Sequence, residues 1–443
     1  MKRTVSIVVI ILAALFTGYW MHWRVQGEVW DFDDLGLVRV FPPNGEVKNV
    51  YIVISQDSNA ALAKSLYTAN TLVAHIRFNR YRNAVAKDDA NCTDVVTLLD
   101  VFYQQLEQRY HVSHYQKPIL IGEGEAAPLI YSILASSPKN MFAAGVSSEF
   151  KPDLNFPKVQ CGQAWPIGAG KISLPTDINL SAPWFVKFAP GVNKIHFSGK
   201  PEIHEVLDKI TSNSIFRQVM PVLAAAKSAS PVNDLPLIEL PANGDSNYFA
   251  IVVSGDGGWA NIDKEIGDAL VEKGVSTVGI NALQYLWQPK TPESAGKDLQ
   301  RIIEHYKEVF QKSKVVVLGF SLGADVLPLM VKNMSESARN SVAGVVLLSP
   351  GTDVHYEFHV TEWWTNESDD PGIPLIPAIE SLNPTPVLCI YGTDEDDESS
   401  CPQLKGQHVI KKGLPGDHHF NDDYEAVIKL IEETFPSRTT AGL

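Results

Sequence analysis

"KVVVLGFSLGADVLPLM", residues 314 to 330, contains the pattern that decides the fold. The apolar run from Val315 to Leu318 predicts a buried strand, and the apolar run after Gly323 predicts a helix. Between them lies Gly-x-Ser-x-Gly, with Ser321 at its centre. Glycines fit where a side chain would collide with the neighbouring strand and helix. The stretch therefore predicts a strand, a tight turn that exposes Ser321, and a helix.

The rest of the C-terminal half alternates in the same way between strands and helices. Predicted strands are "YFAIVVSG", "VSTVGI", "KVVVLGF", "SVAGVVLLS" and "TPVLCIYG", and "NDDYEAVIKLIEETF" is a closing helix. This alternation is typical of a mostly parallel, doubly wound sheet that helices cover on both faces. Within such a sheet, Gly-x-Ser-x-Gly between a strand and a helix indicates the nucleophile turn of an α/β-hydrolase.

The N-terminal half repeats this order. "NVYIVISQDS" resembles "YFAIVVSGDG", and "KPILIGEGEAAPLI" resembles "KVVVLGFSLGADVL", at an offset of about 200 residues. Gly124 stands where Ser321 would be, so the first half is predicted to lack the nucleophile. The sequence predicts two tandem α/β-hydrolase-like domains, residues 28–225 and 248–443, joined by a linker at 226–247 that is rich in proline and small polar residues.

Composition excludes some classes of protein. The chain has 443 residues, of which 45% are hydrophobic, so it has enough apolar side chains for ordinary cores. Its formal net charge is −14, which disfavours nucleic acid as a partner.

The N-terminus predicts export from the cytoplasm. Lys2 and Arg3 precede an apolar run, and Tyr19, Trp20 and Trp23 follow it. Residues 1–24 are therefore interpreted as a signal peptide or, preferably, an uncleaved membrane anchor. Four cysteines are compatible with an oxidising compartment, and one bridge in each half would pair Cys92 with Cys161 and Cys389 with Cys401.

A nucleophilic serine needs a base, which in this fold follows the acid near the chain's end. "GLPGDHHFNDDYEAV" places His418 and His419 in a loop before the last predicted helix. His419 is the preferred base because an aromatic residue, Phe420, follows it. His418 is then a loop histidine without a catalytic role.

The acid is expected in the loop "TDEDDESSCP", after the strand "PVLCIYG". Counting forward from Gly392 favours residues 394 to 396, and counting back from Cys401 favours Asp397 or Glu398. The preferred acid is Asp397, and Asp396 is the second choice.

The oxyanion of an acyl-transfer intermediate needs two backbone N–H donors. One is expected at Leu322, directly after the nucleophile, and the other at Asp256 or Gly257 in "SGDGGW", after the first strand of the domain. This chemistry requires no metal and no organic cofactor.

Several longer segments, which follow one another in a fixed order, are more specific than the short serine motif. "SGDGGW", "LWQPKTPESAGKDLQRIIEHY", "GFSLGADVLP", "LLSP", a charged loop ending in Cys-Pro and "LPGDHHFNDDYEAV" resemble the AcvB/VirJ family of bacterial exported proteins, in its two-domain form, over roughly residues 245 to 435. The resemblance implies a periplasmic serine hydrolase that cleaves the aminoacyl ester of lysyl- or alanyl-phosphatidylglycerol. It also implies an association with virulence and with type IV secretion proteins as possible partners. By this resemblance the nucleophile is Ser321, the base is His419, and the acid lies in the 394–398 loop.

An aminoacyl lipid has a free ammonium, so an acidic pocket would suit it. Asp325 and Asp256 are the candidates for contacting this group, and Trp287 is a candidate to line the site. Residues 355 to 384 form a long insertion that is expected to act as a lid, with Trp363 and Trp364 facing a membrane or an acyl group.

Two other functions remain open at this point. One is a periplasmic esterase for small soluble esters, and the other is a non-catalytic partner of a secretion system that uses the fold for binding.

Overall fold

The structure is a computed structural model that describes residues 27–32, 35–58, 60–112, 115–192, 200–206, 210–259, 262–287, 289–354, 372–395 and 397–438. The predicted anchor at 1–24, Asp396, and most of the predicted lid with Trp363 and Trp364 lie outside these residues. The chain divides into two compact units. The first comprises the residues up to Ser137 together with Met141–Ala225, and the second comprises Pro138–Asn140 with Ala226–Leu443.

The first unit alternates between strands and helices. Its strands are β1 (Glu28–Phe32), β2 (Gly36–Phe41), β3 (Asn49–Ser55), β4 (Thr71–Arg77), β5 (Ile119–Glu123), β6 (Ala144–Phe150), β7 (Asp153–Leu154), β8 (Ile167–Gly168), β9 (Lys171–Ser173), β10 (Trp184–Phe188) and β11 (Ile203–Glu205). Its helices are α1 (Ala61–Leu66), α2 (Phe78–Val85), α3 (Val95–Arg109), α4 (Ala127–Ser136) and α5 (Ser212–Ala229).

Eight of these strands form one sheet in the order β1-β2-β4-β3-β5-β6-β10-β11. From β4 to β11 all neighbours are parallel, whereas β2 is antiparallel to β4 and β1 to β2. A separate three-stranded sheet, β7-β9-β8, follows β6. The crossovers place the ends of β3, β5, β6 and β10 at one edge, where loops of a parallel sheet form sites.

The second unit has nine strands and seven helices in its described residues. The strands are β12 (Leu237–Leu240), β13 (Phe249–Val253), β14 (Thr277–Ile280), β15 (Val315–Phe320), β16 (Val342–Leu348), β17 (Asp353–Val354), β18 (Ile373–Pro374), β19 (Val387–Gly392) and β20 (Val409–Leu414). The helices are α6 (Ile262–Glu272), α7 (Ala282–Tyr285), α8 (Pro292–Val309), α9 (Leu322–Lys332), α10 (Glu336–Arg339), α11 (Leu375–Glu380) and α12 (Tyr424–Thr434).

Its sheet has the order β12-β14-β13-β15-β16-β19-β20, which matches the first sheet without β1. In this sheet the edge strand β12 is antiparallel to β14, as β2 is to β4, and the other pairs are parallel. The predicted class is confirmed: both units are doubly wound α/β domains with mostly parallel sheets. The shared strand order also supports their origin by duplication.

The central strands are apolar throughout because helices cover both of their faces. All six residues of β15 are buried, as are all five of β13. Helix α8 shows how the cover is built: its buried residues recur at helical spacing and face the core, namely Ala295, Leu299, Ile302, Ile303 and Tyr306. A capping box formed by Thr291 and Ser294 fixes its start.

Two further sequence-based expectations, the disulfides and the linker, concern the described residues. Both predicted disulfides are present, Cys92–Cys161 and Cys389–Cys401. Part of the predicted linker forms β12, the edge strand of the second sheet. Its residues Leu237 and Ile238 are buried in that unit. None of the helices within the described ranges is long and apolar enough to span a bilayer.

Candidate active site

Ser321 lies in the turn between β15 and α9, and its backbone is strained. Its φ and ψ are 50° and −121°, a conformation that non-glycine residues rarely adopt. The Ser321 N–H donates to the Leu348 carbonyl oxygen at 2.9 Å, and its carbonyl oxygen accepts from the Asp325 N–H at 3.0 Å. These bonds tie the turn to β16 and to the first turn of α9, so the strained conformation is held from both sides.

The two glycines of the motif are required by close backbone contacts. A Cβ on Gly319 would overlap the Gly323 carbonyl oxygen, and a Cβ on Gly323 would overlap the Val253 carbonyl oxygen and lie 2.6 Å from that of Ser254. Real Cβ atoms do not approach this closely. The sharp turn, and with it the exposure of the Ser321 hydroxyl, therefore depends on both glycines.

A cavity of ≈ 140 Å³ opens beside this turn. The described residues that line it come from the carboxyl ends of β15, β16 and β19, from the segments that follow these strands, and from the loop after β20: Ser321, Asp325, Ser349, Pro350, Gly351, Tyr391, Gly392, Glu395, Glu398, Ser399 and His418. The cavity thus combines a strained serine, a histidine and carboxylates at the edge where α/β proteins bind ligands.

His418, rather than His419, shares this cavity with Ser321. Its Nδ1 lies 3.4 Å from Glu395 Oε2, and its carbonyl oxygen accepts from Ser349 Oγ at 2.9 Å. His419 is exposed, its backbone N–H donates to Asp417 Oδ1 at 2.9 Å, and it is not among the cavity's described residues. The structure therefore brings together Ser321 and His418, and it does not place the preferred His419 with them.

Glu395 is the acid that contacts the histidine. It lies in a short 3-10 turn directly after β19, within the 394–398 loop where the acid was expected. The preferred Asp397 is exposed and is not among the described cavity residues, and the second choice, Asp396, lies outside the described residues. The geometry thus favours Glu395 over Asp397.

The acid loop is tied to the rest of the site. The Cys389–Cys401 disulfide joins β19 to the residue that follows the loop, 12 positions later. The Asp394 N–H donates to the Gly416 carbonyl oxygen at 3.0 Å, and the Ser400 N–H donates to that of Gly351 at 3.2 Å. These bonds link the acid loop to the histidine loop and to the loop after β16.

The turn after β13 lies against the nucleophile. A Cβ on Gly255 would be 3.6 Å from the Ser321 Cβ. The Gly255 N–H donates to the buried Asp263 Oδ2 at 3.2 Å, so it is committed to Asp263. The next amides, Asp256 and Gly257, are in the exposed part of the turn. Leu322 begins α9 directly after the serine. One predicted oxyanion donor therefore follows Ser321 directly in the chain, and the other belongs to a turn whose first residue, Gly255, lies against Ser321.

Asp263 was not singled out from the sequence, because an aspartate in the first turn of a helix is common. Burial raises the pKa of its carboxyl well above the ordinary value, the Gly255 N–H opposes this shift, and the charge of Asp256 adds to it. Its carboxylate, which accepts from the Gly255 N–H, holds the start of the turn after β13.

Asp325 lines the cavity one helical turn after Ser321. Its Oδ1 accepts from the Gly351 N–H at 2.8 Å. Removal from water raises the pKa of this carboxyl to about 7, the Gly351 N–H lowers it, and the charges of Asp353 and Asp256 raise it further. The carboxylates gathered here would favour a cationic ligand group. Trp287 is half-buried in the turn after α7 and is not among the described cavity residues.

The described ranges contain no group of three or more His, Cys, Asp or Glu side chains that could hold a metal ion. What the arrangement can do is acyl transfer: a serine nucleophile, a histidine oriented by a carboxylate, and backbone donors beside the serine.

Part of the chain matches a known protein family. Residues 247–439 match the family described as bacterial virulence protein (VirJ). No curated protein matches the chain.

Similar solved structures include a proline iminopeptidase from Mycobacterium smegmatis. It is 11% identical, with a TM-score of 0.33, over 46% of this chain and 96% of that one. Est1E from Butyrivibrio proteoclasticus with bound ferulic acid is 15% identical, with a TM-score of 0.34, over 46% and 95%. A lipase-esterase related protein from Clostridium acetobutylicum is 15% identical, with a TM-score of 0.34, over 45% and 99%.

Proposed function

We propose that the second unit, an α/β-hydrolase domain of the VirJ type, is a serine ester hydrolase with Ser321, His418 and Glu395 as its triad. The observation that carries this assignment is the meeting, in one cavity, of a serine with φ of 50° and a histidine that is paired to Glu395. Binding alone does not require a strained serine beside an oriented histidine, whereas nucleophilic catalysis uses both.

The proposed reaction has two acyl-transfer steps. Glu395 holds the Nδ1 side of His418, which leaves Nε2 for the proton of the Ser321 hydroxyl. The Ser321 oxygen attacks the ester carbonyl, and the N–H groups of Leu322 and of the Asp256–Gly257 turn stabilise the oxyanion. His418 returns the proton to the leaving alcohol. Water, activated by the same histidine, then releases the acid from Ser321.

The proposed substrate is an aminoacyl ester of phosphatidylglycerol, with lysine or alanine as the acyl group. Two observations support it: the resemblance in sequence, and the carboxylate of Asp325 within the cavity, with Asp353 and Asp256 near enough to affect its pKa. A free α-ammonium next to the scissile carbonyl would be attracted by these charges. The products would be the amino acid and phosphatidylglycerol.

The proposed location is the periplasm, with the N-terminal segment as an anchor to the inner membrane. This placement would hold the catalytic unit near lipid headgroups. Secretion-system proteins are proposed as possible further partners, on the resemblance alone.

A small soluble ester is the second candidate substrate. The volume of ≈ 140 Å³ enclosed by described residues suits a short acyl group and does not by itself require a lipid.

The test incubates the purified protein with vesicles that contain lysyl- or alanyl-phosphatidylglycerol and follows the lipid by thin-layer chromatography, with Ser321→Ala in parallel. Conversion by the wild type alone establishes both reaction and nucleophile. Turnover of a soluble ester without conversion of either lipid would replace the lipid by the second candidate. No turnover of any ester would reject hydrolysis and favour a binding role.

A further inference from the structure

The first unit has a cleft of ≈ 450 Å³ at the edge of its sheet that corresponds to the candidate active site. Gly124, after β5, lines it as Ser321, after β15, lines the other cavity. Four residues later, Pro128 takes the place of Asp325. The cleft thus lacks the nucleophile and the carboxylate that the second unit offers at these positions.

The space above Gly124 is open. Its φ is 62°, close to that of Ser321, and an added Cβ would meet no atom within 4 Å. The backbone of the turn is therefore retained while the position of the reacting side chain is vacant. A ligand can approach the Gly124 backbone directly.

One wall of the cleft is polar because alternate residues of an extended segment face it. Lys151, Asp153 and Asn155 line the cleft, whereas the intervening Leu154 is buried. Lys171 lies in the neighbouring strand β9, where the next residue, Ile172, is again buried and pairs with Leu154. The small sheet therefore turns its apolar side to the core and its charged side to the cleft.

Apart from Glu125, the cleft has equal numbers of acidic and basic side chains, and these are not paired with one another. Glu149 and Asp153 contribute two carboxylates, and Lys151 and Lys171 contribute two ammonium groups. In the described part of the chain, no ion pair joins any of these four side chains to another residue.

Glu125, the fifth charged residue of the cleft, is engaged elsewhere. It accepts from Gln56 Nε2 at 2.8 Å and lies 3.5 Å from the Arg82 guanidinium. A ligand would therefore meet two positive and two negative side chains, and this set matches neither a polyanion nor a polycation.

We propose that this cleft binds, without cleaving, a small zwitterion of the amino-acid class. The anionic group is held by Lys151 and Lys171, and the ammonium by Glu149 and Asp153. The volume lies in the range of small-molecule sites, about 300–1,000 Å³. This inference concerns the first unit alone and does not require the proposed ester hydrolysis.

The test is isothermal titration calorimetry of the full-length protein with L-lysine and L-alanine. Glycerol 3-phosphate serves as an anion without an ammonium, and ethanolamine as a cation without an anion. The zwitterions are expected to bind at least about tenfold more tightly than either single-charge compound, since each charge-assisted contact that is lost weakens binding by about that factor.

The decisive variant is Lys151→Gln with Lys171→Gln, and the matched control is Lys48→Gln, another exposed lysine of the same unit. The double variant should lose at least about tenfold in affinity, and the control should bind as wild type does. Since all three lysines are exposed, folding should be unaffected, which circular dichroism checks. Gly124→Asn, which fills the open space with a residue that tolerates this φ, should also weaken binding.

Three outcomes would overturn the proposal. The first is no heat with any zwitterion. The second is equal binding of glycerol 3-phosphate, which would make the cleft an anion site. The third is binding that survives the lysine double variant but is lost in Asp325→Asn, which would place the ligand in the second unit. Ester hydrolysis by the double variant, measured in parallel, keeps the two proposals separate, because it should equal that of the wild type.

Discussion

The two units contain the same turn with different chemistry at its centre. In the first, Gly124 follows β5 with φ of 62°, and in the second, Ser321 follows β15 with φ of 50°. Glycine adopts this conformation freely, whereas serine does so at a cost of about 1 kcal/mol or more. The first unit thus has the relaxed form of the turn, and the second accepts strain in order to expose a hydroxyl.

The similarity extends along the edge of both sheets. Glu149 and Ser349 lie 200 positions apart, both line the cavity of their unit, and both have positive φ, at 60° and 47°. What differs is the set of side chains on this shared backbone: lysines and carboxylates in the first unit, and a serine, a histidine and carboxylates in the second. The two units therefore share the backbone at this edge of the sheet, and the function of each depends on the side chains there.

The largest expected effect comes from making the second turn like the first. Ser321→Gly should lower kcat for ester hydrolysis by about 10⁴-fold or more, because the nucleophile is removed. The free energy of unfolding should stay equal or rise by about 1 kcal/mol, because glycine relieves the strain. Steady-state kinetics and chemical denaturation measure the two effects.

The reciprocal change, Gly124→Ser, is the matched control. It should add no activity to a protein that carries Ser321→Gly, since the first cleft contains no histidine among its described lining residues. If this double variant regained hydrolysis, the first cleft would be able to support catalysis once a serine is present, contrary to what its side chains indicate.

The next effect separates two adjacent histidines. His418→Ala should lower kcat by about 10³-fold or more, because the general base is lost. His419→Ala should change kcat by less than about threefold, because this ring is exposed and outside the described cavity lining. Burst-phase kinetics on a chromogenic ester would measure both. A larger loss for His419→Ala than for His418→Ala would restore the assignment made from the sequence.

This pair of residues shows where sequence reasoning stopped. The alternation of strands and helices, the similarity of the two halves, and the Ser321 turn all follow from patterns within short segments of the sequence. The choice between His418 and His419 depends on which way two neighbouring side chains point in a loop. That direction is set by contacts far along the chain, such as the bond from Ser349 Oγ to the His418 carbonyl oxygen.

The acid posed the same difficulty. The loop was located by its position after a strand, but its carboxylates are close together and chemically alike. Glu395 is distinguished by the 3-10 turn that immediately follows β19 and brings its carboxylate to His418. The sequence also did not reveal the cleft of the first unit, because Lys151 and Lys171 are 20 positions apart and line one cleft in a region where β7 pairs with β9.

A third change tests the acid by comparing two carboxylates of one loop. Glu395→Gln should lower kcat by about 10²- to 10⁴-fold, because His418 loses the group that orients it and stabilises its protonated form. Asp397→Asn, in the same loop, should leave kcat within about twofold of the wild type. Steady-state kinetics on a chromogenic ester would compare kcat of the two variants with that of the wild type. An equal loss in both variants would mean that the loop acts through its net charge.

The smallest effect concerns Asp325, whose place in the first unit is taken by Pro128. Asp325→Asn should raise KM for esters that carry an ammonium by about tenfold, and should leave KM for neutral esters unchanged, because the amide keeps the bond to the Gly351 N–H but loses the charge. KM values for matched aminoacyl and acyl esters would measure the difference. Equal changes for both esters would mean that Asp325 shapes the cavity and does not recognise charge.

Asp325 also predicts a pH dependence with a defined sign. Burial raises the pKa of its carboxyl in the folded state to about 7, from an ordinary value of 3.8. The folded state therefore binds more protons than the unfolded state between these values, so this group lowers stability progressively as pH rises from about 4 to about 7. Asp325→Asn lacks this loss and should be more stable than the wild type at pH 8, by up to about 4 kcal/mol, and similar to it near pH 4. Denaturant unfolding at both pH values would show it. A gain of the same size at both pH values would mean that the amide packs better than the carboxyl. The negative charge that Asp325 offers to a substrate ammonium at pH 8 would then not lower the stability of the fold.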